Sequence, residues 1–287
     1  MDAAVALSLV AGVGWAVNIV TVRWALDRTG APPMAGALVA IGVAAGMAIV
    51  AAVVTGAEVP GWDSVWRFAL VGAIAPGSSQ GLFVSSIGRI GPARSSVLVS
   101  TNPIWSVALA ILFLGEGWEV AVIVGTLLVV VGGVLISWEP GLGFRHIGVV
   151  LALGTAVTFG VRDVIAREFT SESDVSIWWA SSIVFVAATL VVLVMSAVQL
   201  RGGLADAVRR ASPPFLASGL AIGVALPMLF FAFDRGEVGL VAPLSNASQS
   251  VMVVALGSAV FGARERTPRI LLALVLVVAG GALITAT

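Results

Sequence analysis

Long apolar runs separated by short polar connections dominate the chain. Ten runs hold about 20 mainly apolar residues each, the length that carries a helix across a hydrocarbon core roughly 30 Å thick. Only a helix satisfies its own backbone hydrogen bonds there. The runs cover about 4 to 25, 33 to 54, 67 to 87, 94 to 114, 119 to 138, 147 to 166, 175 to 199, 213 to 233, 239 to 262 and 268 to 286. Val175 to Leu200 carries no charged residue, whereas the connection that follows holds Arg201, Asp206, Arg209 and Arg210.

The pattern repeats. Gly88-Arg89-Ile90-Gly91 recurs 148 residues later as Gly236-Glu237-Val238-Gly239, and Gly132-Gly133-Val134-Leu135-Ile136-Ser137 as Gly280-Gly281-Ala282-Leu283-Ile284-Thr285. Phe83 meets Phe231 and Phe113 meets Phe261, while near the start of each half an offset of 144 aligns Val17, Val20 and Arg23 with Val161, Val164 and Arg167. Two units follow, 1–142 and 143–287, each of five helices. Five is odd, so the second unit enters the membrane from the opposite side. The expected fold is an all-α integral membrane protein of ten transmembrane helices, arranged as two inverted five-helix repeats around a central cavity. In such folds substrate binds near the midplane and the halves alternate access.

Composition sharpens this picture. Apolar residues make up 59% and charged residues 10% of the chain, against roughly 45–50% and about 25% in soluble domains. Cysteine is absent and His146 is the only histidine. Disulfides, thiolate metal sites and cysteine nucleophiles are therefore excluded, and no cofactor or metal is expected. Fifteen arginines balance fifteen acids, so nothing points to nucleic acid. The expected partners are the lipid bilayer and a small-molecule substrate, for a chain acting as a monomer. Met1-Asp2 offers no basic region of a signal peptide, so the first apolar run is expected to stay as a membrane helix.

Polar groups that persist inside a bilayer face a bundle interior or a water-filled cavity. The fourth run holds Ser96, Ser100, Thr101 and Asn102, and its repeat mate, the ninth, holds Ser245, Asn246, Ser248, Gln249 and Ser250. Asn246 and Gln249 are three apart and share a face, offering amide groups to a polar ligand. Asn18 and Arg162 occupy equivalent positions in the first and sixth runs, and Trp15, one turn before Asn18, offers an aromatic face. Arg162 reads either as a carboxylate clamp or, with Asp163, as a snorkelling helix end, with Asp163 also spaced to meet Arg167. Ser79 and Gln80 of the third run complete the candidate substrate contacts, and Pro76, Pro103, Pro227 and Pro243 are candidate hinges within helices.

Gly42-x-x-x-Gly46, Gly77-x-x-x-Gly81 and Gly219-x-x-x-Gly223 read as close helix contacts. Trp24, Trp62, Trp66, Trp118, Trp138, Trp178 and Trp179 lie near run ends, as interfacial anchors do. Gly77-Ser78-Ser79-Gln80-Gly81 fits a nucleophile-elbow pattern, which makes an intramembrane serine hydrolase the remote alternative. That elbow needs a strand-to-helix turn and a histidine base, whereas this pentapeptide lies in a membrane helix and His146 in the connection between the halves.

Gly14-Trp15-Ala16-Val17-Asn18 with Arg23, Pro103 within Ser100-Thr101-Asn102-Pro103-Ile104-Trp105, Phe113-Leu114-Gly115-Glu116 and the Gly132-Gly133 pair together resemble the drug/metabolite transporter superfamily, specifically its ten-helix EamA-like members. Phe261-Gly262-Ala263-Arg264-Glu265 and Gly280-Gly281 echo the last two motifs. The second run departs from the family, since Ala35 to Ala40 lacks the usual basic residue. The resemblance implies efflux or facilitated exchange of amino acids, aromatic ones included, or related metabolites, from a multi-pass protein of the plasma (inner) membrane. Multidrug or organic-cation efflux is the alternative, although the first run lacks the acid on which small proton-coupled exporters rely.

Orientation divides these readings. Eleven arginines (23, 28, 89, 94, 145, 201, 209, 210, 264, 266 and 269) fall on one side and three (67, 167 and 235) on the other. The positive-inside rule then puts both termini outside, whereas the resemblance implies that both are cytoplasmic.

Overall fold

A computed structural model describes residues 2–90, 95, 98–117, 119–137, 146–261 and 268–286. Every described element is helical: α1 (Asp2–Thr29), α2 (Pro33–Val54), α3 (Trp62–Gly72), α4 (Ser79–Ile90), α5 (Asn102–Leu109), α6 (Val120–Ser137), α7 (His146–Glu172), α8 (Ile177–Leu200), α9 (Leu204–Phe233), α10 (Val238–Phe261) and α11 (Pro268–Thr285). Wider π-helical turns join α3 to α4 over Ala73–Ser78 and extend α5 over Ala110–Leu114.

Eight stretches among the described residues are long and apolar enough to cross a membrane, and Asn102–Leu114 and Val120–Leu135 are shorter apolar helices. Large apolar side chains crowd the outer surface, among them Val54 at 78% exposure and Leu112 and Phe113 at 74%. Water would penalise such a surface at about 25 cal/mol per Å², so this outer face belongs against lipid. The protein is a multi-pass membrane protein.

Several helices differ from the sequence expectation. The third run is not one continuous helix: it begins at Trp62, and Ala75 (φ −151°, ψ 126°) breaks it just before Pro76. Pro76 therefore sits at a break rather than inside a helix. Pro103 occupies the first turn of α5, where its missing N–H costs nothing; the turn at Ser100–Thr101 precedes it. Pro227 and Pro243 lie inside continuous α9 and α10. The eighth helix starts at Leu204 instead of about 213, so Asp206, Arg209 and Arg210 form its first turns. Asp206 there suits the positive end of the helix dipole. The sixth helix runs to Glu172, past the expected end near 166.

The helices meet through small residues. A side chain at Gly12 would strike the Ser245 carbonyl and Ser248 of α10, at Gly219 the Ala40 carbonyl and Val43 of α2, and at Gly125 or Gly280 the facing backbone between α6 and α11. Without a hydrophobic driving force in lipid, close van der Waals contact of this kind is what joins helices. Gly42 and Gly46 do not take part: a side chain at either would meet open space. The α2–α9 contact is made by Gly219 and Gly223 of α9 and by Gly36 of α2 against Phe215, a correction to the expected pair at Gly42 and Gly46. Phe185, Phe215, Phe230 and Phe233 fill the fully buried interior.

α1 packs chiefly against α9 and α10, and α7 against α4 and α5; α2 lies between α8 and α9, and α6 against α11. Each sequence half is therefore interleaved with the other.

Candidate functional site

Arg162 and Asp163 are both buried, well inside α7. They are not in the last turn, so the snorkelling reading is overturned. Arg162 Nε and Nη2 donate to Asp163 Oδ1 at 3.0 and 2.6 Å. Successive residues of a helix diverge by about 100°, so the contact closes because the long arginine stem folds back over the short aspartate. Ser106 Oγ, from α5, donates to the other oxygen, Oδ2, at 2.7 Å. Ser106 can reach because Gly160 lies directly against Trp105 and Ser106. Asp163 thus pairs with Arg162 and Ser106 rather than with Arg167.

Two of the five guanidinium N–H groups of Arg162 are engaged with Asp163, and the Phe159 ring lies 5.1 Å from its Cζ. The other N–H groups suit a carboxylate, to which arginine presents a planar fork. Breaking such a buried pair by removing one partner costs about 3–5 kcal/mol.

Asn18, half-buried on α1, accepts a hydrogen bond from Ser218 Oγ of α9 at 2.6 Å. That bond uses the amide carbonyl and leaves the N–H groups for a ligand. Trp15 packs partly on the main core cluster one turn earlier. On α10, Asn246 Nδ2 donates to the Ala242 carbonyl of its own helix at 2.9 Å, while Gln249 is half-buried beside the Gly12 contact. Trp15, Asn18, Asn246 and Gln249 therefore belong to the α1–α9–α10 group, and Thr101, Asn102 and Arg162 to the group around α5 and α7. α10 also runs against α5 and α7, so the two groups adjoin.

Asn102 is 8% exposed, and Thr101 Oγ1 donates to the Leu98 carbonyl at 2.6 Å. Ser79 Oγ donates to the Pro76 carbonyl at 3.2 Å and Ser78 Oγ to that of Ile74 at 2.6 Å, so both hydroxyls serve the broken backbone. Gln80 is half-buried one residue on. Ser96, Trp118, Trp138, Gly262, Ala263, Arg264 and Glu265 lie outside the described residues. Trp178 and Trp179 tie helices together rather than facing lipid only: Trp178 stacks edge-on with Phe231 at 5.8 Å, and Trp179 Nε1 donates to the Ala57 carbonyl at 3.0 Å.

Sequence reasoning missed Ser106 and Ser218. Ser106 lies one turn after Asn102 on the same face, a spacing that could have found it; Ser218 sits among alanines and glycines with no comparable signal. It also left Glu116 without a role. Its Oε1 accepts from the Val238 N–H at 2.7 Å and its Oε2 from the Gly239 N–H at 2.9 Å, capping the start of α10. Gly115, in the left-handed conformation (φ 66°), ends the α5 segment and turns the chain toward this contact. Burial raises the Glu116 pKa above the usual carboxylate range, and the neighbouring charge of Glu237 adds to this; the two N–H bonds and Arg167 oppose it. A cavity of about 310 Å³ opens beside it, lined by Val107, Ile111, Glu116, Glu119, Glu237 and Leu240.

A solved structure titled only "Crystal structure of protein" is similar to this chain over 100% of its length and 97% of that chain, with a TM-score of 0.80 at 22% identity, which shows a shared fold. No curated protein matches the chain. Residues 2–138 match the EamA-like transporter family, which is consistent with the drug/metabolite transporter superfamily.

Proposed function

We propose that the whole chain is a ten-helix transporter of two inverted five-helix repeats in the plasma (inner) membrane, carrying small polar metabolites, amino acids foremost, by alternating access. The packing supports the repeat. Exchanging each helix for its mate turns the α1 contacts with α9 and α10 into the α7 contacts with α4 and α5, and leaves the α2–α8 and α6–α11 pairs in place. Helix direction agrees: Ala4 adjoins Gly236, Gly12 adjoins Ser245, and Arg23 lies over Phe261 at 4.2 Å, so α1 and α10 run parallel, as first and ninth crossings must.

The moving bodies are then not the two sequence halves. They are α1 with α9 and α10, and α7 with α3, α4 and α5. Glu116 joins these bodies at one end, from the α5 side to the first turn of α10. Its release accompanies opening at that end.

The observation that carries the substrate reading is the Arg162–Asp163–Ser106 cluster, a buried ion pair inside a membrane-crossing helix with guanidinium N–H groups to spare. A zwitterion meets Arg162 through its carboxylate, with the Asn18, Asn246 and Gln249 amides facing from the other body. Efflux and uptake of labelled amino acids in proteoliposomes test this. Wild type should show selective flux; Arg162→Lys, and separately Asn246→Ala with Gln249→Ala, should lose it while staying folded. Undiminished flux in both variants overturns the assignment.

A further inference from the structure

The two ends of the bundle are chemically unlike. Helix contacts sort the ends without any appeal to charge. The start of α1 meets the start of α10 at Ala4 and Gly236, Glu116 caps that same start, Ile284 near the end of α11 lines the adjoining cavity, and Trp179 at the start of α8 holds Ala57 just past the end of α2. These mark the end that carries both termini. At the opposite end Arg23 covers Phe261, Gly148 abuts Arg89 and Ile90, and Gly36 abuts Phe215.

Among the described residues the terminal end holds three arginines and the opposite end seven: Arg23, Arg28, Arg89, Arg201, Arg209, Arg210 and Arg269. Arginines have local neighbours at both ends, since Arg23 and Arg28 lie over the Phe261 and Trp24 rings at 4.2 and 4.4 Å. Arg235 pairs with Asp234 at 2.8 Å, Arg67 lies over Phe169 at 5.5 Å, and Arg167 is within electrostatic reach of Glu116 and Glu168. The terminal end is otherwise acidic, with Glu58, Asp63, Glu116, Glu119, Asp174 and Glu237 among its described acids. Arginine in short connections is what retains a membrane segment's flank in the cytoplasm, and acids add little to that sorting. The cytoplasmic leaflet also carries the anionic headgroups that attract such a flank.

We infer that the arginine-rich end is the cytoplasmic face, seated at the anionic headgroups of that leaflet, so that both termini, Glu116 and its cavity face outward. This reverses the orientation implied by the family resemblance. It rests on the ten-crossing reading, which puts all terminal-end connections on one side. A substrate entering past Glu116 thus comes from outside.

The native chain has no cysteine, so single cysteines report position cleanly. Thr55→Cys and Ser171→Cys stand at the terminal end and Ala205→Cys at the arginine-rich end, all on exposed residues. A membrane-impermeant maleimide is applied to intact cells expressing the full chain, with permeabilised cells establishing that each thiol reacts. Thr55→Cys and Ser171→Cys are expected to label in intact cells and Ala205→Cys only after permeabilisation. The opposite pattern, or labelling of all three from outside, overturns the orientation. Thr55→Cys and Ser171→Cys labelling from different sides overturns the ten-crossing reading instead.

Discussion

At the scale of single residues, Arg162 and Asp163 separate stability from transport. Arg162→Ala leaves a carboxylate buried with only the Ser106 hydroxyl, and the expected loss is about 3–5 kcal/mol. An apolar replacement of both residues, Arg162→Met with Asp163→Leu, should recover most of that loss, since well-packed apolar residues replace a buried pair at little cost. Flux should not return. Thermal unfolding in detergent alongside proteoliposome flux measures both; flux recovered by the double variant would remove Arg162 from the substrate path.

Glu116 gives the pH dependence. Its folded pKa is raised by burial, so the stability linked to its proton is fully present below the ordinary carboxylate range and is lost as pH rises through the raised folded value. Melting temperatures of wild type should therefore fall as pH rises above the ordinary carboxylate range, and Glu116→Gln should flatten that part of the profile. An unchanged profile in Glu116→Gln would show that other groups set it.

The residues of these two sites were unequally legible. Arg162 and Asp163 stood out because charge is scarce in apolar runs, but their depth did not, since it depends on where α7 ends, six residues past the expected boundary near 166. Ser106 and Ser218 act through partners 57 and 200 residues away. No local pattern encodes such pairings.

At the scale of elements, apolar run length located the helices well, because the bilayer sets that length from outside. Breaks were harder to read. Pro76 and Pro103 look alike in sequence, yet one follows a non-helical Ala75 and the other simply opens α5. The glycine pairs show the same limit of local reading: Gly219 meets α2 while Gly42 and Gly46 face open space. Spacing marks a smooth helix face but not whether a neighbour lies on it. Gly219→Leu should therefore cost about 1–3 kcal/mol by overpacking. Gly42→Ala should stabilise the helix by about 0.5–1 kcal/mol, because alanine loses less backbone freedom than glycine there. Unfolding of the two variants in one detergent compares them directly, and a destabilising Gly42→Ala would place an unseen surface against α2.

At the scale of the whole molecule, the proposed transport cycle moves two bodies that Glu116 joins at one end. A Glu116→Cys, Gly239→Cys pair bridged by a short bifunctional maleimide joins them where the carboxylate now bonds the Gly239 N–H. Bridging that pair should abolish flux, while a monofunctional maleimide on the same pair should not; flux through the cross-linked protein would show that this end does not open during transport. Motifs recur along the sequence at offsets of 148 and 144, but the interleaving of α1 with α9 and α10 was not legible there, since an offset says nothing of which helices touch.

The seat of Trp105 against Gly160 gives the protein an optical property. The chain has nine tryptophans and no tyrosine, so its ultraviolet emission is almost purely indole. Trp105 sits at the seam between α5 and α7, its Cβ and backbone against Gly160 and the residue 36% exposed. Any shift of that seam on substrate binding changes the polarity around the ring, and its emission wavelength moves with it. A variant retaining only this tryptophan would read the working cycle in light, without a label.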